Sequence, residues 1–168
     1  MTIEAQETSV HPNVGQVLDV IEDVVSVMEW SHERRGDELS TQVPGRWCDY
    51  AVQFTWIGQM EFLAFFCVLD MRIEPNRMKE AYELVGISND KTLLGSFTIS
   101  AEDRLPLFRI VVPMRGQKRV SPEQIKDMLN ETLAECERFY PAFQFVIWGG
   151  KNPQEAIRDA MIEVEGTA

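Results

Sequence analysis

Few side chains in this sequence could carry out catalysis or bind a metal. The only histidines are His11 and His32, and the cysteines Cys48, Cys67 and Cys136 are widely spaced, with no C-x-x-C pair. Two histidines are too few for us to expect a histidine-based catalytic triad or a multi-histidine metal site. The cysteine spacing does not indicate a zinc site or a disulfide framework. Unpaired cysteines are typical of a reducing cytoplasm, where we expect this chain. We predict no catalytic residue, no metal site and no cofactor.

Asp49 is the carboxylate with the most suggestive neighbours, since Trp47, Cys48 and Tyr50 surround it in the sequence. A carboxylate among aromatic rings can have a raised pKa, which a catalytic acid needs. However, a cysteine on an apolar strand face is usually packed in a core, and a carboxylate at an edge usually pairs with a neighbour such as Arg46. The sequence therefore favours structural roles here, with a catalytic acid or thiol as the alternative.

Motifs that bind phosphate or build hydrolase sites are also missing. Residues 149–151 read Gly-Gly-Lys, like the end of a Walker motif, but position 145 is Phe where that motif needs Gly. The glycine pair is better explained as the end of a helix. Neither G-x-S-x-G nor H-E-x-x-H occurs, so the usual signals of a hydrolase fail as well. These absences favour a protein that works by binding other macromolecules.

The charge distribution narrows the choice of partner. The chain has 16 basic and 27 acidic side chains, a net charge of −11, which repels nucleic acid at long range and makes it an unfavoured partner. Residues 104–119 form a basic run without acids: Arg104, Arg109, Arg115, Lys118 and Arg119. This run is either a solvated rim that complements the acidic helices of the protein or a docking strip for an acidic partner.

Aromatic residues are concentrated around Pro141. Five of them fall within ten residues: Phe139, Tyr140, Phe143, Phe145 and Trp148. One helix cannot point all five side chains inward, because Phe145 and Trp148 lie partly off the stripe of the others. The cluster is either a bent helix that wraps the edge of a sheet or a contact for another protein, since aromatic anchors carry much of the energy of protein interfaces.

Length and composition predict one domain. The chain has 168 residues, of which 45% are hydrophobic and 26% charged, as in an ordinary globular domain. The longest unbroken apolar run, residues 62–69, is far shorter than the ~20 residues that span a bilayer, and no secretory signal is visible. Residues 1–12 predict a flexible N-terminal arm, and residues 13–168 predict a single domain with no membrane segment.

The periodicity of apolar residues predicts helices mixed with an antiparallel sheet. A helix is expected at residues 13–29, followed by strands at 39–43, 48–56 and 62–69, the last of them central and covered on both faces. Even positions of the 48–56 strand should share one face and odd positions the other. Between the first two strands, Pro44-Gly45 predicts a type II turn with a positive φ at the glycine.

The second half of the chain predicts a helix, a hairpin and a helical tail. A helix should begin at Pro75, with a buried stripe at Met78, Tyr82, Val85 and Leu93 and a left-handed cap at Gly95. Strands from 97 and over 105–112 follow, with Pro106 pushing the second towards an edge. Ser121 and Gln124 then predict a capping box for a long helix, which Pro141 should kink or interrupt. A last helix should begin near Pro153.

Two segments resemble the YbjN-like family. They are residues 45–50, GRWCDY, and residues 136–150, CERFYPAFQFVIWGG, and the similarity extends over about residues 14–164. Members of this family are described as putative bacterial sensory transduction regulators. The resemblance implies an α+β fold like that of the type III secretion chaperones, with an antiparallel sheet packed with helices. Those chaperones commonly dimerise and bind extended protein segments, and the family offers no established catalytic residue.

We therefore expect a non-enzymatic adaptor or chaperone-like regulator, active as a homodimer, that binds a protein at a sheet edge or on the face carrying Trp47, Gln53 and Thr55. The residues predicted to contact the partner are Trp47, Asp49, Gln53, Phe145, Trp148, Arg104, Arg109 and Arg115. The alternative is a small-molecule sensor or uncharacterised enzyme with a pocket between the sheet and the bent helix, near Asp49, Tyr50, Tyr140 and Trp148.

Overall fold

The computed structural model describes residues 14–117 and 119–166; the predicted arm at residues 1–12 lies outside them. The helices in this part of the chain are α1 (Val14–Val27), α2 (Met78–Asn89), α3 (Pro122–Ile147) and α4 (Pro153–Glu165), with a short 3-10 turn at Pro75–Arg77. The strands are β1 (His32–Arg35), β2 (Glu38–Pro44), β3 (Asp49–Ile57), β4 (Phe62–Val68), β5 (Ser96–Ile99) and β6 (Pro106–Pro113). The predicted α+β class is confirmed.

All six strands form one antiparallel sheet in the order β1-β2-β3-β4-β6-β5. The predicted alternation of β3 is confirmed, since Tyr50, Val52, Phe54 and Trp56 are buried and the residues between them are more accessible. We call the side of the sheet that carries these four side chains the helix face. Aromatic contacts between this face and α3, such as that of Tyr50 with Tyr140, place the helix over it.

The opposite side of the sheet, the open face, has no described helix on it. It carries the side chains of Ala51, Gln53, Thr55, Phe62, Ala64, Phe66, Val68, Leu107, Arg109 and Val111. We expected β4 to be central and covered on both sides. It is central, but its two faces differ: Leu63, Phe65 and Cys67 are fully buried against the helices, whereas Phe62, Phe66 and Val68 are only half-buried. The apolar surface on this side is therefore available for another contact.

α1 packs on the helix face beside β1 and β2. The helical spacing of apolar residues in the sequence predicts a buried stripe that includes Val17, Leu18, Ile21, Val24, Val25 and Met28. The first five are buried as predicted, whereas Met28 is exposed and Val27 beside it is 75% exposed. The sequence did not predict β1, because its residues, His-Glu-Arg-Arg, lack an apolar alternation. β1 pairs with β2 along its whole length as the outer strand of a hairpin, and Arg34 also makes ion pairs with Asp19 (2.6 Å) and Glu22 (3.1 Å) on α1.

The predicted type II turn at Pro44-Gly45 is wrong. Pro44 is the last residue of β2 and pairs with Asp49, and the Gly45 N–H donates to the carbonyl of Cys48 (3.0 Å). Gly45 is not among the glycines with a positive φ. Because the strand pairing continues through Pro44, the chain reverses one residue later, in a hairpin loop at residues 45–48.

α2 buries a different stripe from the one expected. Ala81, Leu84 and Ser88 are buried, whereas Tyr82 and Leu93 are exposed. The two stripes have the same helical spacing, and the sequence prediction chose the one with more large apolar residues. On the stripe that is buried, the small side chains of Ala81 and Ser88 allow α2 to pack closely on α3 and α4. The capping box of Ser121 and Gln124 is confirmed.

α3 continues through Pro141 as one helix. The expected edge position of the strand that begins at Pro106 is wrong, since β6 lies between β4 and β5. Gly95 does have the predicted positive φ (76°), but it leads into β5 because α2 already ends at Asn89.

We expect Gly95→Ala to lower the free energy of unfolding and Gly86→Ala to raise it. A Cβ at Gly95 would lie 2.6 Å from the carbonyl oxygen of Arg109 and would require a strained positive φ, whereas a Cβ at Gly86 meets nothing within 4 Å. The cost at position 95 should be about 2 kcal/mol or more, and the gain at position 86 about 0.5–1 kcal/mol. Urea unfolding measures both. Equal effects of the two substitutions would contradict the geometry at Gly95.

Candidate functional site

The hairpin loop at residues 45–48 is bound to α3 at its internal proline. Pro141 has no N–H, so the carbonyl of Glu137, four residues earlier, lacks its helical hydrogen bond. The indole N–H of Trp47 donates to this carbonyl at 2.9 Å. The long-range contact therefore satisfies a buried acceptor that the proline leaves unpaired, and it explains how α3 continues through residue 141.

Further contacts fix the same loop. The backbone N–H of Arg46 donates to Glu137 Oε1 (2.6 Å), and the Trp47 ring lies parallel to that of Tyr140, with centroids 6.5 Å apart. A Cβ at Gly45 would approach the Tyr50 ring within 2.2 Å, so only glycine allows the loop to lie this close. We call this set of contacts the loop–helix junction. Trp47, predicted as a partner-binding residue, thus has a structural role that the sequence did not reveal.

Burial raises the pKa of the polar groups near the junction. It raises the pKa of Tyr140 to about 12 and that of Tyr50 further, and the ionised form of Cys48 would add to both shifts. Burial also raises the pKa of the Cys48 thiol, although the hydrogen bond with Tyr140 partly offsets this. All three groups are protonated at neutral pH, and none has the lowered pKa of an activated nucleophile.

The other two cysteines meet in the core. Cys67 of β4 and Cys136 of α3 are both fully buried, and burial together with the neighbouring Cys67 raises the pKa of Cys136. Sequence spacing did not predict this pairing, because it depends on how α3 crosses the sheet. In the described part of the chain, no group of three or more His, Cys, Asp or Glu residues could hold a metal ion.

Three of the predicted partner-binding residues lie on the open face: Asp49, Gln53 and Arg109. Gln53 pairs with Phe66 across β3 and β4, and Phe66 pairs with Arg109 across β4 and β6, so the three side chains form one row. Asp49 is exposed at the start of β3 on the same side. The open face therefore combines half-buried apolar side chains with a carboxylate, an amide and a guanidinium. Protein interfaces have a similar mixture, with an apolar centre and a polar rim.

The basic run does not form one compact patch. Arg104 lies in the turn before β6, and Arg115 lies in the turn after it. The eight residues of β6 separate them by about 26 Å. Only Arg109 projects from the middle of the strand onto the open face. The described cations of this run are therefore spread out, because a strand separates its charges along its length and alternates their direction; their contact with a partner stays a prediction, and Lys118 lies outside the described residues.

Phe145 and Trp148 lie at the C-terminal end of α3, in the helix layer. The Lys151 ammonium lies 4.5 Å from the centre of the half-buried Phe145 ring, and the Arg77 guanidinium donates to the carbonyl of Val146 (2.8 Å). Trp148 is 60% exposed. These two aromatic residues are thus separate from the open face, and their contact with another protein stays a prediction.

The residues of the alternative pocket do not converge on one cavity. Asp49 and Tyr50 are neighbours on β3, so their side chains point to opposite faces of the sheet. Tyr50 and Tyr140 pack edge to face in the core, with centroids 6.0 Å apart. Trp148 is exposed beyond the last turn of α3. A sensor or enzyme pocket built from these four side chains is not formed.

The fold places the chain among α+β proteins with the type III secretion chaperone architecture. Two solved structures share it. The first is the crystal structure of YbjN from E. coli, described as a putative transcription regulator, with a TM-score of 0.51, 10% identity, and coverage of 95% of this chain and 96% of that chain. The second is the HopA1–SchA chaperone–effector complex, with a TM-score of 0.52, 8% identity, and coverage of 72% and 90%.

The sequence itself identifies the family. The model of the YbjN family, described as "Putative bacterial sensory transduction regulator", matches residues 18–145. The chain belongs to this family. No curated protein matches it. The matched residues include the hairpin loop, Glu137 and Pro141, so the loop–helix junction lies within the part of the chain that defines the family.

We expect Trp47→Phe to lower the free energy of unfolding by about 1–3 kcal/mol, because it leaves the Glu137 carbonyl without a donor. In a Pro141→Ala background, the new N–H of Ala can donate to that carbonyl. The same Trp47→Phe change should therefore cost less there, by about 1 kcal/mol. Urea unfolding of the four proteins of this double-mutant cycle measures the difference. An equal cost in both backgrounds would show that the indole N–H does not replace the helical hydrogen bond.

We expect the Cys48 thiol to react slowly in the native protein, because burial raises its pKa. Iodoacetamide at pH 7.5 should modify it at least about 10-fold more slowly than in the urea-unfolded chain, since only the thiolate reacts. Cys48→Ser, compared with the parent protein by mass spectrometry, isolates the reaction at this position. Rapid labelling that reaches a plateau below pH 8 would instead reveal an activated cysteine.

Proposed function

We propose that this chain is a non-enzymatic, chaperone-like adaptor of the bacterial cytoplasm that binds a protein on its open face, in a sensory transduction pathway. The observation that carries the proposal is the row of Gln53, Phe66 and Arg109, on an apolar sheet face without a described helix. The family description and the chaperone in the HopA1–SchA complex support a regulator that acts by binding. The fold by itself is compatible with many functions, so the surface carries the argument.

Several features support protein rather than nucleic acid as the partner. The net charge of −11 disfavours approach to phosphates. Arg104, Arg109 and Arg115 are spread along β6, so they present no continuous basic track. The open face has the composition of a protein interface, with aromatic and branched apolar residues at its centre and polar residues towards β2. No described helix is long and apolar enough to cross a bilayer.

A second copy of the chain would use a different surface. At the end of α1, Val27 is 75% exposed and Met28 next to it is also exposed. This apolar end lies in the helix layer, away from the open face. We place the contact of a homodimer here, which leaves the open face free for another protein.

Two substitutions separate dimerisation from partner binding. Val27→Asp should convert a dimer of twice the 19.3 kDa chain mass into a monomer, since it places a charge in an apolar contact. Phe66→Thr removes the aromatic ring but introduces a β-branched residue, which is also favoured in strands, and it should leave the dimer intact. Light scattering at micromolar concentration measures both. A monomeric parent protein would contradict the dimer.

The same pair of variants tests the adaptor role. The parent protein and Val27→Asp should retain the same specific proteins from a bacterial lysate, whereas Phe66→Thr should retain at least about 10-fold less, as expected when an aromatic anchor is lost. Quantitative mass spectrometry gives the ratios, and thermal melting confirms that each variant is folded. Equal retention by Phe66→Thr and the parent would exclude the open face as the binding surface.

A further inference from the structure

The edges of the sheet differ in how they are protected. On β1, three of the four residues are charged: Glu33, Arg34 and Arg35, and charged edges resist pairing with another strand. On β5, the outward backbone groups of Phe97 are already used by Asn89, whose Oδ1 accepts the Phe97 N–H (2.7 Å) and whose Nδ2 donates to the Phe97 carbonyl (3.1 Å). The charges on β1 and the Asn89 hydrogen bonds to Phe97 on β5 therefore both disfavour pairing with an additional strand.

A third stretch of edge is not protected in this way. β5 pairs only with residues 106–109 of β6, whereas β4 pairs with residues 107–113 on the other side. Residues 110–113 of β6 therefore have a neighbouring strand on one side only. They extend over about 13 Å, which is enough for four residues of an added strand.

The directions of the backbone groups on this stretch follow from the ladder. The Pro106 carbonyl accepts from Leu69, and the Met114 N–H donates to the Glu61 carbonyl, so even-numbered residues of β6 point towards β4. Odd-numbered residues point the other way. Two residues of the free stretch therefore point away from β4, towards the unpaired side of the strand: Val111, with its N–H and carbonyl, and Pro113, with its carbonyl. Among the described residues no backbone group pairs with them.

A groove runs along this free stretch. It has a volume of about 640 Å³ and is lined by β6, the start of β5 and a side chain of α3. Its walls are apolar: Leu94 is 54% exposed, Val111 is 44% exposed, and Met128 is half-buried. Free backbone groups beside apolar walls are the two elements of recognition by strand addition, since hydrogen bonds give affinity and the walls select side chains.

The charge of the groove indicates the chemistry of its occupant. Among the described residues, Arg109 is the only charged one that lines the groove, and its exposed guanidinium makes no ion pair within that part of the chain. Arg115 is exposed just beyond the other end of the free stretch. An acidic segment would complement both cations, and complementary charge favours the correct partner and register.

A second copy of this chain does not fit the groove. Two-fold antiparallel pairing centred on Val111 would place Pro113 opposite Arg109 of the second copy, where β5 of that copy already pairs. Pairing centred on Val112 would instead bring Arg109 towards Arg115 of the second copy, and like charges in register are destabilising. The same edge of a second copy therefore does not fit in either of these registers, which favours a segment of a different protein as the occupant.

We propose that an extended, acidic segment of a partner protein, with alternating apolar side chains, adds to the sheet as a strand beside residues 110–113 of β6. This inference rests on the proposed adaptor function, because Arg109 and Val111 belong to both the groove and the open face. The N–H and carbonyl of Val111 bond to the added strand, its apolar side chains contact Leu94 and Met128, and a carboxylate pairs with Arg109.

Hydrogen exchange of the free protein tests the edge itself. The Val111 amide should exchange at least about 10-fold faster than those of Ile110 and Val112, which point towards β4. Slow exchange at all three positions would show that the edge is already covered and would overturn the inference.

A synthetic heptapeptide of alternating glutamate and valine, acetylated and amidated, tests the occupant, with the lysine–valine peptide as its control. The glutamate peptide should bind at least about 10-fold more tightly and should slow exchange of the Val111 amide. Arg109→Glu should reverse the preference, whereas Arg158→Glu on α4 should not change it. Any of three results would overturn the inference: no binding at millimolar peptide, the same peptide preference in Arg109→Glu as in the parent, or unchanged exchange of the Val111 amide in the complex.

The two proposals fail in different ways. If lysate capture depends on Phe66 but neither the peptide nor the captured protein protects the Val111 amide, the adaptor function holds and strand addition is excluded. If the glutamate peptide protects the Val111 amide while Phe66→Thr retains as much lysate protein as the parent, strand addition holds and the open face is not the binding surface.

Discussion

The missing N–H of one proline shapes this structure. Pro141 leaves the carbonyl of Glu137 unpaired inside α3, and a buried acceptor without a donor is costly. The chain supplies a donor from 90 residues earlier, the Trp47 indole, at the tip of the β2–β3 hairpin. This bond fixes the hairpin end of the sheet against α3. The helix lies over one face of the sheet, and the other face retains half-buried apolar side chains that no described helix covers.

The sequence predicted features that depend on local pattern. The stripe of α1, the alternation of β3 and the capping box at Ser121 follow from spacing and hydrogen-bonding chemistry over a few residues, and the structure confirms them. Strand β1 was missed because its charged sequence has no apolar alternation and it forms by pairing with β2, and the stripe of α2 was misassigned because two neighbouring stripes have the same period. Tertiary packing decided both outcomes.

The candidate site followed the same division. Gln53 and Arg109 were predicted separately as partner contacts, and that role stays a prediction. Both lie on the open face, but their row through Phe66 depends on strand register, which pattern alone does not specify. Trp47 was assigned to a partner surface because the alternation of the predicted strand put it on the same face as Gln53 and Thr55, whereas in the structure it lies before β3 and contacts α3. One sequence signal did point to its real role: a proline within a helix requires a substitute donor for the carbonyl four residues earlier.

We propose that the one-sided sheet and the edge left free beyond β5 together allow this protein to complete its sheet with a strand of another chain. The most direct measurement is a structure of this chain bound to a protein captured from its host. The account predicts that the partner contributes a strand along residues 110–113, with side chains over Phe66. A partner seated on α2 or α4, with the sheet untouched, would contradict it.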